Sequence, residues 1–215
     1  SLQDCACCGA YISKSPDVWK AFMCHNLGAN EAADPFKPSA EIHGAMYKWG
    51  TGEVALSAAE NLDPANNSGG TTWWAGKGGT VPTTSDDWDM TNANPCPPGW
   101  KVPSNADWEN VLSSNTLYRT NDGGSSWVAG TQSSGWTNSA TNYSTGLKIG
   151  DALVLPAAGL RYDSGGSLSY RGSDGYYWSS TASGSNGRSM YFHGIGHVLT
   201  NGTRSYGCSV RCLSE

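Results

Sequence analysis

The chain has 215 residues, of which 14% are charged and 28 are glycine, and its formal net charge is −5. Typical soluble domains are ~25% charged, and this chain has no cluster of Lys and Arg, which argues against a nucleic-acid partner because phosphates are bound by grouped cations. Ten Trp and ten Tyr argue against disorder, and no apolar run approaches the ~20 residues of a membrane span, so we predict a single folded domain over residues 1–215 that is not inserted in a membrane.

The amino-terminal part of the chain carries few signals of regular structure. Residues 18–24 are compatible with a strand or a helix, because their apolar pattern is too short to distinguish the two. Residues 45–49 predict a short strand that ends at Gly50. Residues 51–94 are rich in Gly, Thr, Asn and Asp and have no sustained periodicity, so we predict a loop-rich insertion there.

One helix is clearly signalled in the middle of the chain. Ser104 and Asp107 have the spacing of the N-cap and the third helical residue in a capping box. Apolar side chains follow at the i, i+3 and i+4 positions of one helix face, namely Trp108, Val111 and Leu112. Residues 120–146 return to a loop-rich composition, and residues 151–156 predict a buried strand that ends at Pro156.

The last third of the chain has an unusual composition, since residues 161–212 contain no Lys, Glu, Gln or Pro. Apolar and aromatic stretches predict short strands at residues 177–180, 190–193 and 208–212. We therefore predict strands that display Tyr and small polar side chains on one side.

Alternation along these strands predicts which side chains face the core. The buried side is predicted to hold Met190, Phe192 and, after a turn over residues 194–196, Val198. The outward side is predicted to hold Tyr191, His193, His197 and Leu199.

Several fragments resemble a known family in their order and spacing. They are residues 94–109 (NPCPPGWKVPSNADWE), 155–161 (LPAAGLR), 177–180 (YWSS) and 207–212 (GCSVRC). Together they resemble the Fibrobacter succinogenes major paralogous domain, which is similar in turn to the formylglycine-generating-enzyme type of C-type-lectin-like fold. The resemblance implies an α+β fold with short twisted antiparallel strands, one or two helices, long loops and neighbouring chain ends.

The same fold is found in the variable proteins of diversity-generating retroelements, and this chain is similar to them. In such proteins a carboxy-terminal segment is rewritten at the adenines of selected codons, often AAC, and these changes cannot give Lys, Glu or Gln. The composition of residues 161–212 agrees with this restriction if Trp178 and Met190 are constant, and the variable segment would cover residues 165–206. The resemblance implies an extracellular ligand-binding domain on a bacterial cell or phage virion, which recognises a host-surface protein or a glycan without a cofactor or chemistry.

A binding surface in this segment has a physical rationale. Tyr gives a large contact area at low cost in side-chain entropy, and Ser, Gly and Asn adapt their hydrogen bonds, as in antibody paratopes. The residues predicted to face the ligand are Tyr170, Tyr176, Arg188, Tyr191, His193, Ile195, His197, Leu199, Asn201, Thr203 and Tyr206. The apolar residues predicted to hold them in place are Trp178, Met190, Phe192, Val198 and Val210. The alternative is an ordinary solvated edge strand.

The seven cysteines fit a secreted protein with one or two disulfides. We favour a disulfide between Cys96 and Cys212, although the oxidases of the same fold would make one of them a redox nucleophile or a metal ligand. A second expected pair is Cys8 with Cys24. The competitors for that second pairing are Cys5 and Cys7.

Metal-binding and catalytic alternatives have weaker support. His193 and His197 are spaced like metal ligands on a helix, but their segment predicts a strand and a turn. The acidic loop around Trp88 offers carboxylates for a hard cation, but solvated side chains are the simpler interpretation. We expect no metal and no enzyme activity. Two alternative functions stay open, an oxidase of the formylglycine-generating type and a structural module of an adhesin or pilus, and so does the oligomeric state.

Overall fold

The computed structural model describes residues 8–215, and this part of the chain forms many short strands and few helices. Fifteen strands make six antiparallel sheets of two to four strands, with three short α-helices between them, in agreement with the predicted mixture of α and β structure. The first strands are β1 (Gly9–Lys14), β2 (Asp17–Ala21), β3 (Met46–Tyr47), β4 (Val54–Leu56), β5 (Trp100–Lys101), β6 (Leu117–Thr120) and β7 (Val128–Ala129). The later strands are β8 (Gly146–Ile149), β9 (Leu153–Pro156), β10 (Leu160–Arg161), β11 (Leu168–Ser169), β12 (Asp174–Ser183), β13 (Asn186–His193), β14 (Gly196–Thr203) and β15 (Leu213–Ser214). The helices are α1 (Ala58–Leu62), α2 (Thr71–Ala75) and α3 (Asn105–Ser114).

Helix α3 forms where the sequence predicts it. The Ser104 hydroxyl accepts a hydrogen bond from the Asp107 amide at 3.0 Å, and the Asp107 carboxylate accepts one from the Ser104 amide at 2.8 Å. These two bonds complete the capping box. The helix face formed by Trp108, Val111 and Leu112 is buried, as predicted.

The main hydrophobic core lies between α3 and two sheets. One sheet has the strand order β7–β6–β8–β9, and the other has the order β12–β13–β14. Fully buried side chains from these elements include Trp108, Val111, Leu147, Leu155, Tyr177, Met190 and Phe192. The rings of Tyr177 and Phe192 stack with their centroids 6.0 Å apart, which joins β12 to β13 on this face.

A second core on the other side of β12 is built around tryptophans. The indole groups of Trp49 and Trp178 have no exposed surface, and they donate to the carbonyls of Ser179 and Tyr47, both at 2.7 Å. Each indole therefore buries a large apolar area while its N–H group keeps a partner. Cys96 and Cys212 belong to the same cluster.

Two disulfides cross-link the described residues. They are Cys8–Cys24 and Cys96–Cys212, the two pairs favoured from the sequence. Cys5 and Cys7 lie outside the described residues, and Cys208 is a buried thiol. Two disulfides indicate an oxidising, extracellular environment. Within residues 8–215, no helix has both the length and the apolar character needed to cross a bilayer.

Buried arginines hold the long loops in place. Five guanidinium groups are at most 3% exposed, those of Arg119, Arg161, Arg171, Arg204 and Arg211. Arg161 donates to the Asn61 side chain at 3.1 Å and to the Asn61 carbonyl at 2.8 Å. None of the five forms an ion pair in the part of the chain that the structure describes. Burial lowers the pKa of Arg161 to about 10, so this guanidinium stays charged at neutral pH and binds loop carbonyls as a charged donor.

The loop-rich insertion predicted at residues 51–94 contains more regular structure than expected. It includes β4 and the helices α1 and α2. Helix α1 begins with a capping box in which the Glu60 amide donates to the Ser57 hydroxyl at 3.2 Å. The helix has five residues, which is too short to produce a visible apolar periodicity.

The strand predicted at residues 208–212 is wrong. Cys208 forms an isolated bridge with Tyr47, and Ser209 forms one with Tyr177, but the regular strand is β15, which follows them. Side chains at both odd and even positions are buried between residues 207 and 213, because this segment passes between the two cores. The ambiguous residues 18–24 include the end of β2.

Candidate binding face

The sheet β12–β13–β14 has one face on the main core and one face directed away from it. Directly paired residues of antiparallel strands lie on the same face. The pairs that define the outer face are Asp174 with His193 and Tyr176 with Tyr191. Tyr177 pairs with Met190, and both are fully buried on the inner face. The predicted alternation in residues 190–193 is therefore confirmed.

Aromatic rings form a continuous row along the outer face. The distances between successive ring centroids are 5.8 Å for Tyr206–Tyr162, 6.3 Å for Tyr162–Tyr170, 6.1 Å for Tyr170–Tyr176, 4.9 Å for Tyr176–Tyr191 and 5.3 Å for Tyr191–His193. All six rings are half-buried. Spacings of this size are typical of favourable aromatic contacts. We refer to these six residues together with Asp174 as the tyrosine face.

The members of the tyrosine face come from separate parts of the chain. Tyr162 and Tyr170 flank the β10–β11 hairpin, and their hydroxyl groups lie 3.0 Å apart. Tyr206 follows β14, in a turn closed by a hydrogen bond from its amide to the Thr203 carbonyl at 2.9 Å. The sheet supplies the remaining four residues, so the face depends on the position of three different elements.

The tyrosine face presents neutral phenol groups around one carboxyl group. Burial raises the pKa of Asp174, and the Tyr176 hydroxyl donates to its Oδ2 atom at 3.4 Å. Burial raises the pKa of Tyr191 to about 12, and the hydrogen bond with Tyr170 raises the pKa of Tyr162 to about 12. These hydroxyl groups are therefore neutral at physiological pH and available as donors and acceptors.

Tyr170 adopts a left-handed backbone conformation, with φ of 63°. This conformation costs a non-glycine residue ~1–2 kcal/mol. The surroundings maintain it, because the Tyr170 amide donates to the Asn138 side chain at 2.9 Å and the Tyr170 carbonyl accepts from the Asp174 amide at 2.9 Å. Strain of this kind is concentrated at functional sites, which points to Tyr170 as a functional residue.

Arg119 fixes one end of the tyrosine face. Its guanidinium group donates to the His193 carbonyl at 2.8 Å and to the Gly196 carbonyl at 2.9 Å, on the two sides of the turn between β13 and β14. A third hydrogen bond runs to the Gly130 carbonyl at 2.5 Å in the neighbouring loop. The turn is thus held against β6.

The turn between β13 and β14 differs from the prediction by one residue. It consists of Gly194 and Ile195, so that His193 pairs directly with Gly196, which the prediction placed in the turn. Because side chains alternate along a strand, a shift of one residue exchanges its two faces. The predicted orientation of the β14 side chains is wrong for this reason.

The exchange of faces moves three predicted residues. Val198, predicted to be buried, is 52% exposed and pairs with Tyr191. Leu199, predicted to face outward, packs against the main core. His197 and Leu199 line a groove of about 370 Å³ beside α3.

The residues predicted to face a ligand are therefore divided between two faces. Those on the tyrosine face are Tyr170, Tyr176, Tyr191, His193 and Tyr206. Those on the opposite face are Arg188, His197, Leu199, Asn201 and Thr203. Ile195 is 61% exposed in the turn between them. Sequence reasoning missed Tyr162 and Asp174. Asp174 could have been found by alternation from Tyr176, whereas Tyr162 has no local signal.

The fold does not bring together the side chains of the two metal sites considered from the sequence, the His193–His197 pair and the acidic loop around Trp88. His193 and His197 lie on opposite faces of the sheet. The carboxylate of Asp87 accepts from the Ala182 amide at 2.8 Å, and that of Asp89 accepts from the Thr91 amide at 2.9 Å, so both are used within the loop structure. Residues 8–215 contain no group of three or more His, Cys, Asp and Glu side chains placed to hold a metal ion.

Comparison with protein families identifies the family of this chain. Residues 5–214 match the profile of the Fibrobacter succinogenes major domain. The chain belongs to this family. No curated protein and no solved structure gives a significant match. The matched part of this Fibrobacter succinogenes major domain includes both disulfides and the whole tyrosine face.

Proposed function

We propose that this Fibrobacter succinogenes major domain has a C-type-lectin-like fold and is a non-catalytic ligand-binding domain. It is displayed on a bacterial cell or a phage virion, and its tyrosine face recognises a host-surface protein or a glycan. The observation that carries the proposal is the continuous row of six half-buried aromatic rings that runs from the turn after β14 across the β10–β11 hairpin to the outer face of β12 and β13.

The chemistry of the tyrosine face suits binding. Each ring contacts the next one, so little side-chain entropy remains to be lost when a ligand packs against the row. Tyr residues supply both apolar area and hydroxyl groups, which is why they are enriched in paratopes and interfaces. The strained backbone of Tyr170 agrees with a role that folding alone does not require.

The identity of the face residues supports diversification. The resemblance to retroelement variable proteins implies changes at the adenines of AAC codons, and such changes give Tyr, His and Asp. Six of the seven residues of the tyrosine face lie within residues 165–206 and are of these three types, whereas Tyr162 lies outside that segment. Trp178 and Met190 cannot arise in this way, and both are fully buried beneath or beside the face, where constant residues are expected.

An oxidase of the formylglycine-generating type has less support. Cys96 and Cys212 are joined in a disulfide, so neither is a free nucleophile. Burial raises the pKa of the Cys208 thiol, which keeps it protonated, whereas reactive cysteines are thiolates in partly exposed positions.

One observation favours the alternative of a structural module. Among the described residues, β14 pairs only with β13, and beyond Gly196, whose carbonyl accepts from Arg119, its other edge has no strand partner, with Val198 exposed. An open edge accepts a strand from another chain. Assembly of the protein in solution would therefore favour a structural role.

Two matched display libraries test the binding proposal. The first randomises Tyr170, Tyr176, Tyr191, His193 and Tyr206 on the tyrosine face. The control randomises Asn186, Arg188, His197, Asn201 and Thr203 on the opposite face. Both are selected against a panel of unrelated purified proteins and immobilised polysaccharides, after sorting for members that display as folded protein. We expect the first library to yield specific binders and the control to yield none.

The proposal fails if folded members of the first library yield no binders, or if the control library yields as many. Concentration-dependent assembly of the unmodified chain that V198K abolishes would instead support the structural module.

Diversification of residues 165–206 is tested separately. We expect the neighbouring DNA to hold a reverse transcriptase gene and a near-copy of the codons for residues 165–206 that differs at adenines. Absence of both would remove diversification and leave the binding role.

A further inference from the structure

A preformed groove of about 650 Å³ lies between the β1–β2 hairpin and the end of α3, away from the tyrosine face. Its volume falls within the ~300–1,000 Å³ of typical ligand pockets. The Asn115 side chain ties the two walls together, because it accepts from the Tyr11 amide at 3.2 Å and donates to the Tyr11 carbonyl at 2.7 Å. The Gly9 amide donates to the Ala152 carbonyl at 2.9 Å across the floor.

Small residues form the floor of the groove and let its walls pack closely on the backbone. They are Gly9, Ala10, Gly150 and Ala152. A Cβ atom at Gly9 would lie 2.4 Å from the Trp19 ring, and one at Gly150, where φ is +61°, would lie 2.8 Å from the Asn115 side-chain oxygen. The absence of a side chain at Gly9 lets the Trp19 ring lie against the backbone at the side of the groove.

Aromatic rings line both walls. Tyr11 and Trp19 are paired directly across β1 and β2, so their rings project from the same face of the hairpin. Tyr118 of β6 lines the other wall. Trp19 is 40% exposed although it sits beside a concave surface. The exposed part of the indole supplies an apolar surface beside the groove on which a ligand can pack.

The rest of the lining is polar and nearly neutral. It comprises Lys14, Ser113, Ser114, Asn115, Thr116 and Asp151. The single lysine has its amine 3.3 Å from the centroid of the Tyr11 ring, and the single carboxylate is that of Asp151. A polyanion needs clustered cations, which this lining does not supply. A peptide is anchored by side chains in deep apolar pockets, whereas the floor here is glycine and alanine.

We propose that this groove binds a short chain of neutral sugar units. The C–H faces of a pyranose ring are apolar and pack on the rings of Trp19 and Tyr118. The hydroxyl groups at the edge of the sugar exchange hydrogen bonds with the side chains of Thr116 and Asp151. This site does not depend on the tyrosine face, so each can fail without the other.

The test is an NMR titration of the full chain labelled with ¹⁵N. The ten tryptophans give separate indole N–H signals, and W19F identifies that of Trp19. The probes are the hexasaccharides of cellulose, mannan, chitin and amylose, with a heparin hexasaccharide and a proline-rich peptide as competing classes. We expect at least one neutral hexasaccharide to shift the Trp19 signal in a saturable manner.

Matched variants locate the binding. W19A removes the stacking surface, and we expect about tenfold weaker binding. T116W adds a ring at an exposed lining position without removing a buried contact, and we expect it to block the groove. F36A removes an exposed ring elsewhere and should leave binding unchanged. The proposal is overturned if no neutral hexasaccharide gives a saturable shift, if only heparin or the peptide does, or if W19A and T116W bind as well as F36A while their spectra show folded protein.

Discussion

Arg119 offers a direct test of how buried guanidinium groups hold the candidate binding face. Its side chain is 2% exposed and donates to the carbonyls of His193, Gly196 and Gly130. Replacement by methionine, R119M, keeps an unbranched chain of similar length and removes every donor. The three carbonyl groups then lose their partner while the surrounding apolar contacts are largely retained.

The expected cost follows from the three lost hydrogen bonds. A buried acceptor left without a partner costs ~1–3 kcal/mol. The low end applies here, because His193 and Gly196 are half-exposed and water can reach part of the turn. Removing the desolvation cost of the buried charge offsets a further part of the loss. We therefore expect R119M to lower the free energy of unfolding by about 2 kcal/mol.

Urea unfolding with intact disulfides measures this change, and amide exchange at residues 194 and 195 measures the local effect on the turn. R188M is the matched control, because Arg188 is a half-exposed arginine on β13, the strand that leads into the turn, and it should change stability by less than ~0.5 kcal/mol. A loss in R119M no larger than that of R188M, or unchanged exchange in the turn, would show that Arg119 does not fix this end of the face.

Three further predictions concern stability. Burial, assisted by Arg171, lowers the pKa of His43 to about 3, so between pH 6.5 and 3 the unfolded chain binds a proton that the folded chain does not. We expect the free energy of unfolding, measured in urea titrations, to fall by about 2 kcal/mol from pH 7 to pH 5, and we expect H43F to remove this loss. Replacing both Cys96 and Cys212 with alanine opens a loop with a sequence separation of 116 and frees the unfolded chain, which should lower stability by about 5 kcal/mol. Thermal unfolding at neutral pH would show this loss as a markedly lower midpoint. S104A should cost about 1 kcal/mol by removing the cap of α3, and S104T should restore most of it in the same urea assay.

Elements that depend on local chemistry were predictable from the sequence. Helix α3 is specified by its capping box and its apolar spacing, both of which lie within one short segment. The buried positions Met190 and Phe192 follow from strict alternation in β13. In each case the residues that decide the structure are neighbours in sequence, so no distant contact has to be known.

The orientation of β14 was not predictable in the same way. The segment Gly194–Ile195–Gly196 permits a turn of two or of three residues, and each choice gives a different face to every later side chain. The decision is made by distant contacts. Leu199 packs against the main core, and Arg119 binds the Gly196 carbonyl. The side chains of β14 do alternate between two faces as predicted, but contacts with distant residues decide which of them face the core.

The buried arginines illustrate the same limit. Nothing near Arg161 in the sequence indicates burial, because its Asn61 acceptor lies 100 residues away. The usual signal would be misleading here, because Asp163 stands at strand spacing but forms no ion pair with Arg161, whose partners are carbonyl and amide oxygens. The sequence predicts loop-rich segments but does not identify the charged side chains that order them.

The two faces of β12 and β13 carry different shares of the stability, and this difference bears on the proposed function. On the inner face, Phe192 is fully buried, and truncation of such a residue to alanine costs ~3–5 kcal/mol. On the outer face, Tyr176 and Tyr191 are half-buried and contact each other, and such a ring pair adds ~0.5–1.5 kcal/mol, although Tyr176 also packs against the second core. A face whose residues are exchanged from one protein to the next must tolerate their loss. The sheet meets that requirement because its inner-face side chains supply the core contacts. Substitutions on the outer face leave the contacts of Phe192 in place.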